Sequence, residues 1–191
     1  AVEKHLAQCA RCADDLRAAE ETLALLGTSL QPVAPPPSLR ARLLESTREE
    51  TLADKLARAF DLAREKAAEI LAQLTKPRTA ENGWRPGPMP GMELYDFKAG
   101  PRLAGADTGL VRFPPKMRFP RHKHLGQETM LVLQGGFCTD DGRHLRPGDA
   151  LVMETGTSHD MLIDDDGCVA AVSLRVGIDV EGMGPIAVKD F

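Results

Sequence analysis

The segment from Arg121 to His159 constrains the fold of this 191-residue chain more than any other part of it. Residues two or four positions apart on a β-strand project from the same face of a sheet. This spacing holds for the first three of four candidate metal ligands, which are His122, His124, Glu128 and His159. The Gly135-Gly136 pair and the Pro-Gly-Asp segment 147–149 indicate turns that fold the chain back and deliver His159 to the same place.

Imidazole and carboxylate side chains in this combination suit a divalent ion of the first transition row. We therefore expect a metal at this site, first of all Zn²⁺, with Mn²⁺, Fe²⁺ or Ni²⁺ as alternatives. The element stays open because affinity order and metal availability decide the occupant as much as the ligands do.

Short segments rich in β-forming residues follow one another after residue 91. Gly, Pro and Asp bound five of them, which cover residues 92–97, 109–113, 128–133, 150–153 and 168–176. This pattern predicts an antiparallel β-barrel or jelly roll over residues 92–191. Met130 and Val132 share the parity of Glu128, so we expect them to line a cavity beside the metal, with Leu131 and Leu133 packing outside it.

Three residues near the start of the chain, His5, Cys9 and Cys12, form a second group of potential ligands. On a continuous helix, positions i, i+4 and i+7 fall within a narrow arc, so the three side chains can bind one ion. Thiolates with an imidazole suit tetrahedral Zn²⁺, whose fourth ligand must then come from upstream, from elsewhere in the fold or from water. The alternative is a pair of small buried cysteines. A redox pair is disfavoured because no βαβ pattern surrounds them.

Helical periodicity dominates the residues before the barrel. Apolar residues at intervals of three or four predict an amphipathic helix from Asp14 to Leu30. The proline-rich segment 31–37 predicts a stiff hinge. A later helix carries an apolar stripe from Leu52 to Leu74, which either faces a core or binds a partner. The scarcity of large apolar residues in this half of the chain favours the partner.

The sequence therefore predicts an α + β protein of two domains. Residues 1–76 would form a helical zinc-binding domain and residues 92–191 the barrel. Prolines and glycines between 77 and 91 predict an irregular linker. The chain begins with Ala-Val, without Met, so we expect the helical domain to be truncated at its N-terminus.

Composition excludes several functional classes. The net charge of −4 gives no bulk attraction to nucleic acid or to an anionic membrane, so direct DNA binding is not expected. The sequence contains no run of about 18 apolar residues, so it predicts no transmembrane helix. It also shows no signal-peptide pattern. Four cysteines, two of them in a Cys-x-x-Cys pair, favour metal binding in a reducing cytoplasm over a disulfide scaffold.

The spacing of the barrel motifs resembles that of the cupins. Their first motif, His-x-His-x(3,4)-Glu-x6-Gly, is matched by His122, His124, Glu128 and Gly135. Their second motif, Gly-x5-Pro-x-Gly-x2-His-x3-Asn, is matched in spacing by Gly148, Glu154, Gly156, His159 and Ile163, with Glu and Ile replacing Pro and Asn. The glycine expected six residues before the first histidine is Lys116, which puts the local turn in doubt more than the metal.

Together with the His-x3-Cys-x2-Cys pattern and the proline-rich hinge, these motifs resemble the ChrR family of bacterial anti-sigma factors. The resemblance implies that a helical zinc-binding domain sequesters an extracytoplasmic-function sigma factor, and that a cupin domain releases it under singlet oxygen or related oxidants. It also implies zinc at His5, Cys9 and Cys12 with an upstream histidine that this chain does not contain, and a metal at the four barrel ligands.

A metal-dependent cupin dioxygenase or isomerase acting on a small molecule is the alternative function. An ion with an open position beside an apolar pocket can activate oxygen. The sequence shows no second acid-base group, however, and an enzyme leaves the cysteine-bearing helix unexplained. We therefore expect a regulator rather than an enzyme.

Overall fold

A computed structural model of the chain describes residues 2–29, 34–40, 43 and 50–187. The chain divides into two compact units, Ala1–Arg48 and Glu49–Phe191. This division lies earlier than the boundary at residue 76 that the sequence predicts, because the helices that follow residue 50 pack against the β-sheet.

The described residues of the first unit include helix α1 (Val2–Leu6), helix α2 (Ala10–Ser29) and helical residues at 38–40. Helix α2 agrees with the helix predicted from Asp14 onward, as far as the described residues extend. No residue between 2 and 27 is buried. Residues 34–37 are not helical, as the prolines require, and the rest of the predicted hinge, 31–33, lies outside the described residues.

Two short helices open the second unit, α3 (Leu52–Phe60) and α4 (Arg64–Leu71). Thr51 begins α3 with a capping box, in which its hydroxyl accepts from the backbone N–H of Asp54 and the Asp54 carboxylate accepts from the N–H of Thr51. The sequence predicts one long helix here, but Asp61 adopts a left-handed conformation at φ 55° and ends α3. An Asp tolerates this conformation better than most residues, so neither Gly nor Pro is needed for the break.

Ten antiparallel strands follow among the described residues, and they form one folded sheet. The strands are β1 (Trp84–Pro86), β2 (Glu93–Asp96), β3 (Asp107–Phe113), β4 (Arg118–His124), β5 (Glu128–Thr139), β6 (His144–Leu145), β7 (Ala150–Met153), β8 (Ser158–Leu174), β9 (Gly177–Val180) and β10 (Gly184–Ala187). Strand β8 pairs with β3, β4 and β5 along its length and so joins the parts of the sheet. The result is an antiparallel β-fold with helices before it, and the antiparallel strands are those that the alternating segments predict.

Two hydrophobic clusters lie on opposite faces of this sheet. The inner cluster contains Met130 and Val132, together with aromatic residues such as Phe119. The outer cluster contains Leu131 and Leu133, which pack with residues of α3 and α4. The predicted parity of strand β5 is therefore confirmed. The apolar stripe of the helices faces this outer cluster, so the core interpretation of the stripe is correct and the partner-binding one is wrong.

Three local predictions from glycine and proline differ from the structure. Gly135-Gly136 is not a turn, because β5 continues through it with irregular pairing to β8, and Gly135 has a positive φ of 66°. The segment predicted as an irregular linker contains β1, which pairs with β2. Lys116 takes the glycine position of the motif at φ 60°, so the turn forms without the glycine.

Candidate metal centre

The four barrel residues predicted as metal ligands come together in the structure. Strand β4 supplies His122 and His124, β5 begins with Glu128, and β8 supplies His159, which lies opposite His122 in the strand pairing. One potential ligand atom from each lies within 4.8 Å of those of the other three. All four side chains are buried, with at most 7% of any residue exposed.

Alternation along β4 explains why its histidines point inward. Residues 121 and 123 of this strand are exposed, whereas His122 and His124 between and after them are buried. The His122 ring packs edge-on against Phe119 of the inner cluster, with ring centroids 5.0 Å apart. Two basic side chains therefore face solvent while both imidazoles enter the apolar interior.

The spacing of the ligand atoms fits a shared ion. Nε2 of His122 and Nε2 of His159 lie 3.0 Å apart, and Nε2 of His124 lies 2.8 Å from Oε2 of Glu128. The second pair is close enough for an ion pair, yet its angles do not make a hydrogen bond, and the described residues offer neither atom another partner. Donor atoms of a tetrahedral Zn²⁺ sit about 2.0–2.2 Å from it and so roughly 3.3–3.6 Å from each other, a few tenths of an ångström more than these two separations. The two atoms of the second pair are buried and converge without a hydrogen bond, which is consistent with that arrangement.

Backbone carbonyl groups hold two of the imidazoles in the orientation that a ligand needs. Nδ1 of His122 donates to the carbonyl of Pro120 at 3.0 Å, and Nδ1 of His124 donates to the carbonyl of Thr157 at 3.0 Å. A carbonyl only accepts, so the proton is at Nδ1 and the lone pair is at Nε2. In both rings the free lone pair therefore points toward the cluster, as in ligand histidines of known metal sites.

Burial favours the neutral imidazole of His122 and of His159. It lowers the pKa of His122, and it lowers the pKa of His159 to about 4, where the neighbouring His122 contributes further. A neutral imidazole binds a metal and an imidazolium does not. The site is therefore ready for a cation without first losing protons at these two residues.

An apolar cavity of about 50 Å³ adjoins the cluster. His122, Glu128 and Met130 lie on its wall together with the apolar Met92, Leu94 and Phe119. Met130 lines the cavity as predicted, whereas Val132 packs in the inner cluster and does not line it. Asp107 also lines it, and burial, followed by the nearby Asp96, raises the pKa of this carboxyl group. The space suits a few waters or a small, mostly apolar molecule.

The three N-terminal residues also come together, although not on the continuous helix that the sequence predicts. Helix α1 ends at Leu6 and α2 begins at Ala10, so the helix is interrupted over residues 7–9, which include Cys9. Nε2 of His5 lies 3.2 Å from Sγ of Cys12, and the ligand atoms of His5, Cys9 and Cys12 lie within 4.8 Å of one another. The backbone N–H of Cys12 lowers the pKa of the Cys9 thiol, because the start of a helix stabilises a thiolate. Neither cysteine is buried, which disfavours the alternative of small core residues.

Sequence reasoning misses a third group, formed by Cys138, His144 and Asp164. His144 follows a polar Asp-Gly segment and Cys138 follows an apolar one, so neither residue stands out as a ligand in the sequence. The polar turn between β5 and β6 could have indicated that Cys138 and His144 are close, since a hairpin around residues 139–143 pairs the two. No sequence signal brings in Asp164, because its position depends on the irregular pairing of β5 with β8.

The antiparallel barrel with a buried three-histidine, one-glutamate cluster defines a cupin-like protein. A family model described as the ChrR cupin-like domain matches residues 73–176, and the chain belongs to this family. A search of curated protein sequences finds no match. No helix in the described part of the chain is long and apolar enough to cross a membrane.

Several solved structures are similar to this chain. Rhodobacter sphaeroides SigE in complex with the anti-sigma ChrR matches at 20% identity and a TM-score of 0.48, covering 89% of this chain and 83% of that one. An acetylacetone dioxygenase from Acinetobacter johnsonii matches at 13% identity and a TM-score of 0.49, covering 60% and 86%. KdgF from a Halomonas species matches at 24% identity and a TM-score of 0.42, covering 51% and 89%.

Proposed function

We propose that this protein is a cytoplasmic bacterial anti-sigma factor. Its N-terminal helices, with Zn²⁺ held by His5, Cys9 and Cys12, sequester an extracytoplasmic-function sigma factor, and its cupin unit holds a divalent ion that makes release responsive to oxidants. One observation carries the proposal: a chain of the ChrR cupin-like family begins with a thiol-and-imidazole cluster on helices that bury none of their residues between 2 and 27.

The exposed helices support a binding role for the first unit. Leu16 and Leu23 of α2 are 42% and 66% exposed. A 20-residue helix gains most of its stability in proteins from packing, and only part from the propensity of its residues. A zinc ion and a protein partner are two sources of the missing stabilisation, since structural zinc contributes on the order of 10–16 kcal/mol in small zinc-dependent peptides.

The buried cluster supports a sensing role for the second unit. A divalent ion bound by His122, His124, Glu128 and His159 would supply a Lewis-acid centre that meets the apolar cavity. Glu128 and His122 border both the cluster and the cavity, so a small molecule that enters would reach the ligands directly. A ligand change worth a few kcal/mol is enough to move a partner equilibrium from mostly bound to mostly free.

The binding half of the proposal is tested by transcription in vitro. RNA polymerase carrying an extracytoplasmic-function sigma factor from the same organism is assayed with increasing amounts of the full chain. We expect inhibition at about one chain per sigma factor, loss of inhibition in Cys9→Ser and Cys12→Ser, and full inhibition in the exposed neighbour variants Lys4→Ala and Arg11→Ala. Failure of the wild-type chain to inhibit any such sigma factor of that organism would contradict the proposal.

The sensing half is tested separately with Glu128→Gln. This variant keeps the side-chain shape and removes one charged ligand, so inhibition should persist while release by a singlet-oxygen source fails. Glu154→Gln is the control, because Glu154 lies near the motif but is exposed. Normal release from Glu128→Gln would refute the sensing role and leave the binding role intact.

A metal-dependent dioxygenase or isomerase is the second candidate, and the cavity beside the ligand cluster favours it. An enzyme would consume oxygen, or convert substrate, with a small apolar compound after loading with Fe²⁺. Turnover that Glu128→Gln abolishes, together with failure to inhibit transcription, would establish this alternative over the regulator.

A further inference from the structure

The outer face of the second unit carries a group of three donor side chains that takes no part in the proposed function. Phe137 and Ile163 enter the inner cluster, so the next residues along β5 and β8, Cys138 and Asp164, project from the opposite face. Strand β6 adds His144, which pairs with Cys138 across the hairpin. The donor atoms of the three residues lie within 4.8 Å of one another.

The His144 ring is already held against the carboxylate. Nε2 of His144 donates to Oδ2 of Asp164 at 2.8 Å, and 36% and 33% of the two side chains are exposed. Three strands that are remote in sequence therefore meet in one polar group. Side chains from three strands are positioned by the sheet itself, which gives a more precise arrangement than a loop does.

Gly136 makes room for this arrangement. A Cβ at this position would lie 2.6 Å from Oδ2 of Asp164 and 3.4 Å from Nε2 of His144. Gly136 does not have the positive φ that would require glycine for the backbone conformation. The missing side chain is thus explained by space, since the Asp164 carboxylate occupies it, together with the Leu145 carbonyl oxygen at 2.6 Å.

We propose that Cys138, His144 and Asp164 bind one Zn²⁺-type divalent cation, with a fourth position open to water. A thiolate, an imidazole and a carboxylate are the three ligand classes that Zn²⁺ accepts, and a site with three protein ligands leaves one position for solvent. On binding, the Cys138 thiol releases its proton to solvent. The His144 proton moves from Nε2 to Nδ1, so that Nε2 becomes a ligand in place of a donor.

Arg146 opposes this change and gives the proposal a directional test. Its Nη2 lies 3.5 Å from Nδ1 of His144 and can only donate, so it favours the ion-free tautomer. Its positive charge also repels a cation. Replacement by glutamine, which is neutral and can accept from Nδ1–H, should tighten ion binding several-fold.

The test uses the full chain, stripped of metal and then equilibrated with Zn²⁺ before the ions per chain are counted. Cys138→Ser and Asp164→Asn should each hold one ion fewer than the wild type, whatever the other two clusters bind. Asp165→Asn is the matched control, because its 84%-exposed side chain is the immediate neighbour of Asp164 and should leave the count unchanged. Loading with Co²⁺ adds a second measurement, since the difference spectrum between wild type and Cys138→Ser should show a thiolate-to-cobalt charge-transfer band.

Each outcome decides the proposal. A loss of one ion in both ligand variants, with the control unchanged and circular dichroism like that of the wild type, supports it, and tighter binding by Arg146→Gln supports it further. Wild-type loading in either ligand variant overturns the three-ligand site. An equal loss in Asp165→Asn also overturns it, because the effect would then be one of surface charge alone.

Discussion

Replacing Phe60 by alanine should destabilise the cupin unit itself, although Phe60 lies on a helix that comes before the first strand. The side chain is fully buried in the outer cluster, and its ring meets Phe97 edge-on with centroids 5.4 Å apart. The substitution removes these contacts and leaves a cavity under α3. Phe60→Ala therefore tests whether α3 and the sheet unfold together.

The expected loss is about 3–5 kcal/mol, which is the usual range for Phe→Ala in a packed core. The unit from Glu49 to Phe191 has the size of a typical domain, for which 1 kcal/mol lowers Tm by about 2–4 °C or slightly more. We therefore expect Tm to fall by roughly 10–20 °C.

Trp84 provides the assay. It is the only tryptophan of the chain, is 3% exposed, and belongs to the same outer cluster as Phe60, so its fluorescence reports unfolding of this unit. Thermal unfolding is followed at Trp84 in the wild type, in Phe60→Ala and in a control, Leu23→Ala, whose side chain is 66% exposed on α2. The control should leave the Trp84 transition unchanged.

A Trp84 transition in Phe60→Ala within about 2 °C of the wild type, well below the expected shift, would refute the reasoning. It would mean that α3 is not part of the cooperative cupin unit, and that the apolar stripe from Leu52 onward is free to serve the partner after all. The result thus also decides which helices can take part in the proposed binding of a sigma factor.

Three further predictions follow from local features. Lys116→Gly should raise the free energy of unfolding by about 0.5–1 kcal/mol, because the strain relieved in the left-handed conformation exceeds the entropic cost of a more flexible unfolded chain. Lys116→Ala should give no gain. Midpoints of urea unfolding measure both variants. In metal-free protein the buried neutral His159 has a pKa of about 4 against about 6.5 when unfolded. The unfolded state then binds more protons in this window, so stability should fall by about 2 kcal/mol from pH 7 to pH 5, and no fall would contradict a neutral buried imidazole. Finally, burial and then Asp164 raise the pKa of the Cys168 thiol to about 12, whereas that of Cys9 is lowered, so iodoacetamide should alkylate Cys9 in the metal-free folded protein and Cys168 only after unfolding, as mass spectrometry would show.

The sequence predicts those features that depend on period and spacing. Alternation along β5 places Glu128 and Met130 inside and Leu131 outside, and the spacing of the β4 histidines brings them to the same cluster as Glu128. These predictions succeed because a strand has one geometry and its two faces are distinct. The identity of the ion does not follow, since the same ligands accept several metals.

The predictions that differ from the structure depend on contacts between segments or on unusual backbone conformations. The stripe on α3 has the same pattern whether it faces a partner or its own sheet, so the sequence alone cannot choose between them. The break at Asp61 and the turn at Lys116 use left-handed residues that are not glycine. The passage of β5 through Gly135-Gly136 depends on its pairing with β8, and the Cys138, His144 and Asp164 group depends on the same pairing.

Burial separates the proposed sensor from the proposed zinc site. Within the barrel, at most 7% of each ligand residue is exposed, and the cavity of about 50 Å³ that adjoins the cluster is small. At the N-terminus, Cys9 and Cys12 are partly exposed, and Cys9 has the lowered pKa that favours reaction with thiol oxidants. A bulky thiol oxidant would therefore act on the proposed N-terminal zinc site directly and release the proposed sigma-factor partner even from Glu128→Gln. Only an oxidant small enough to enter the cavity can reach the barrel ligands as well, so the size of the oxidant determines whether the proposed sensor takes part in release.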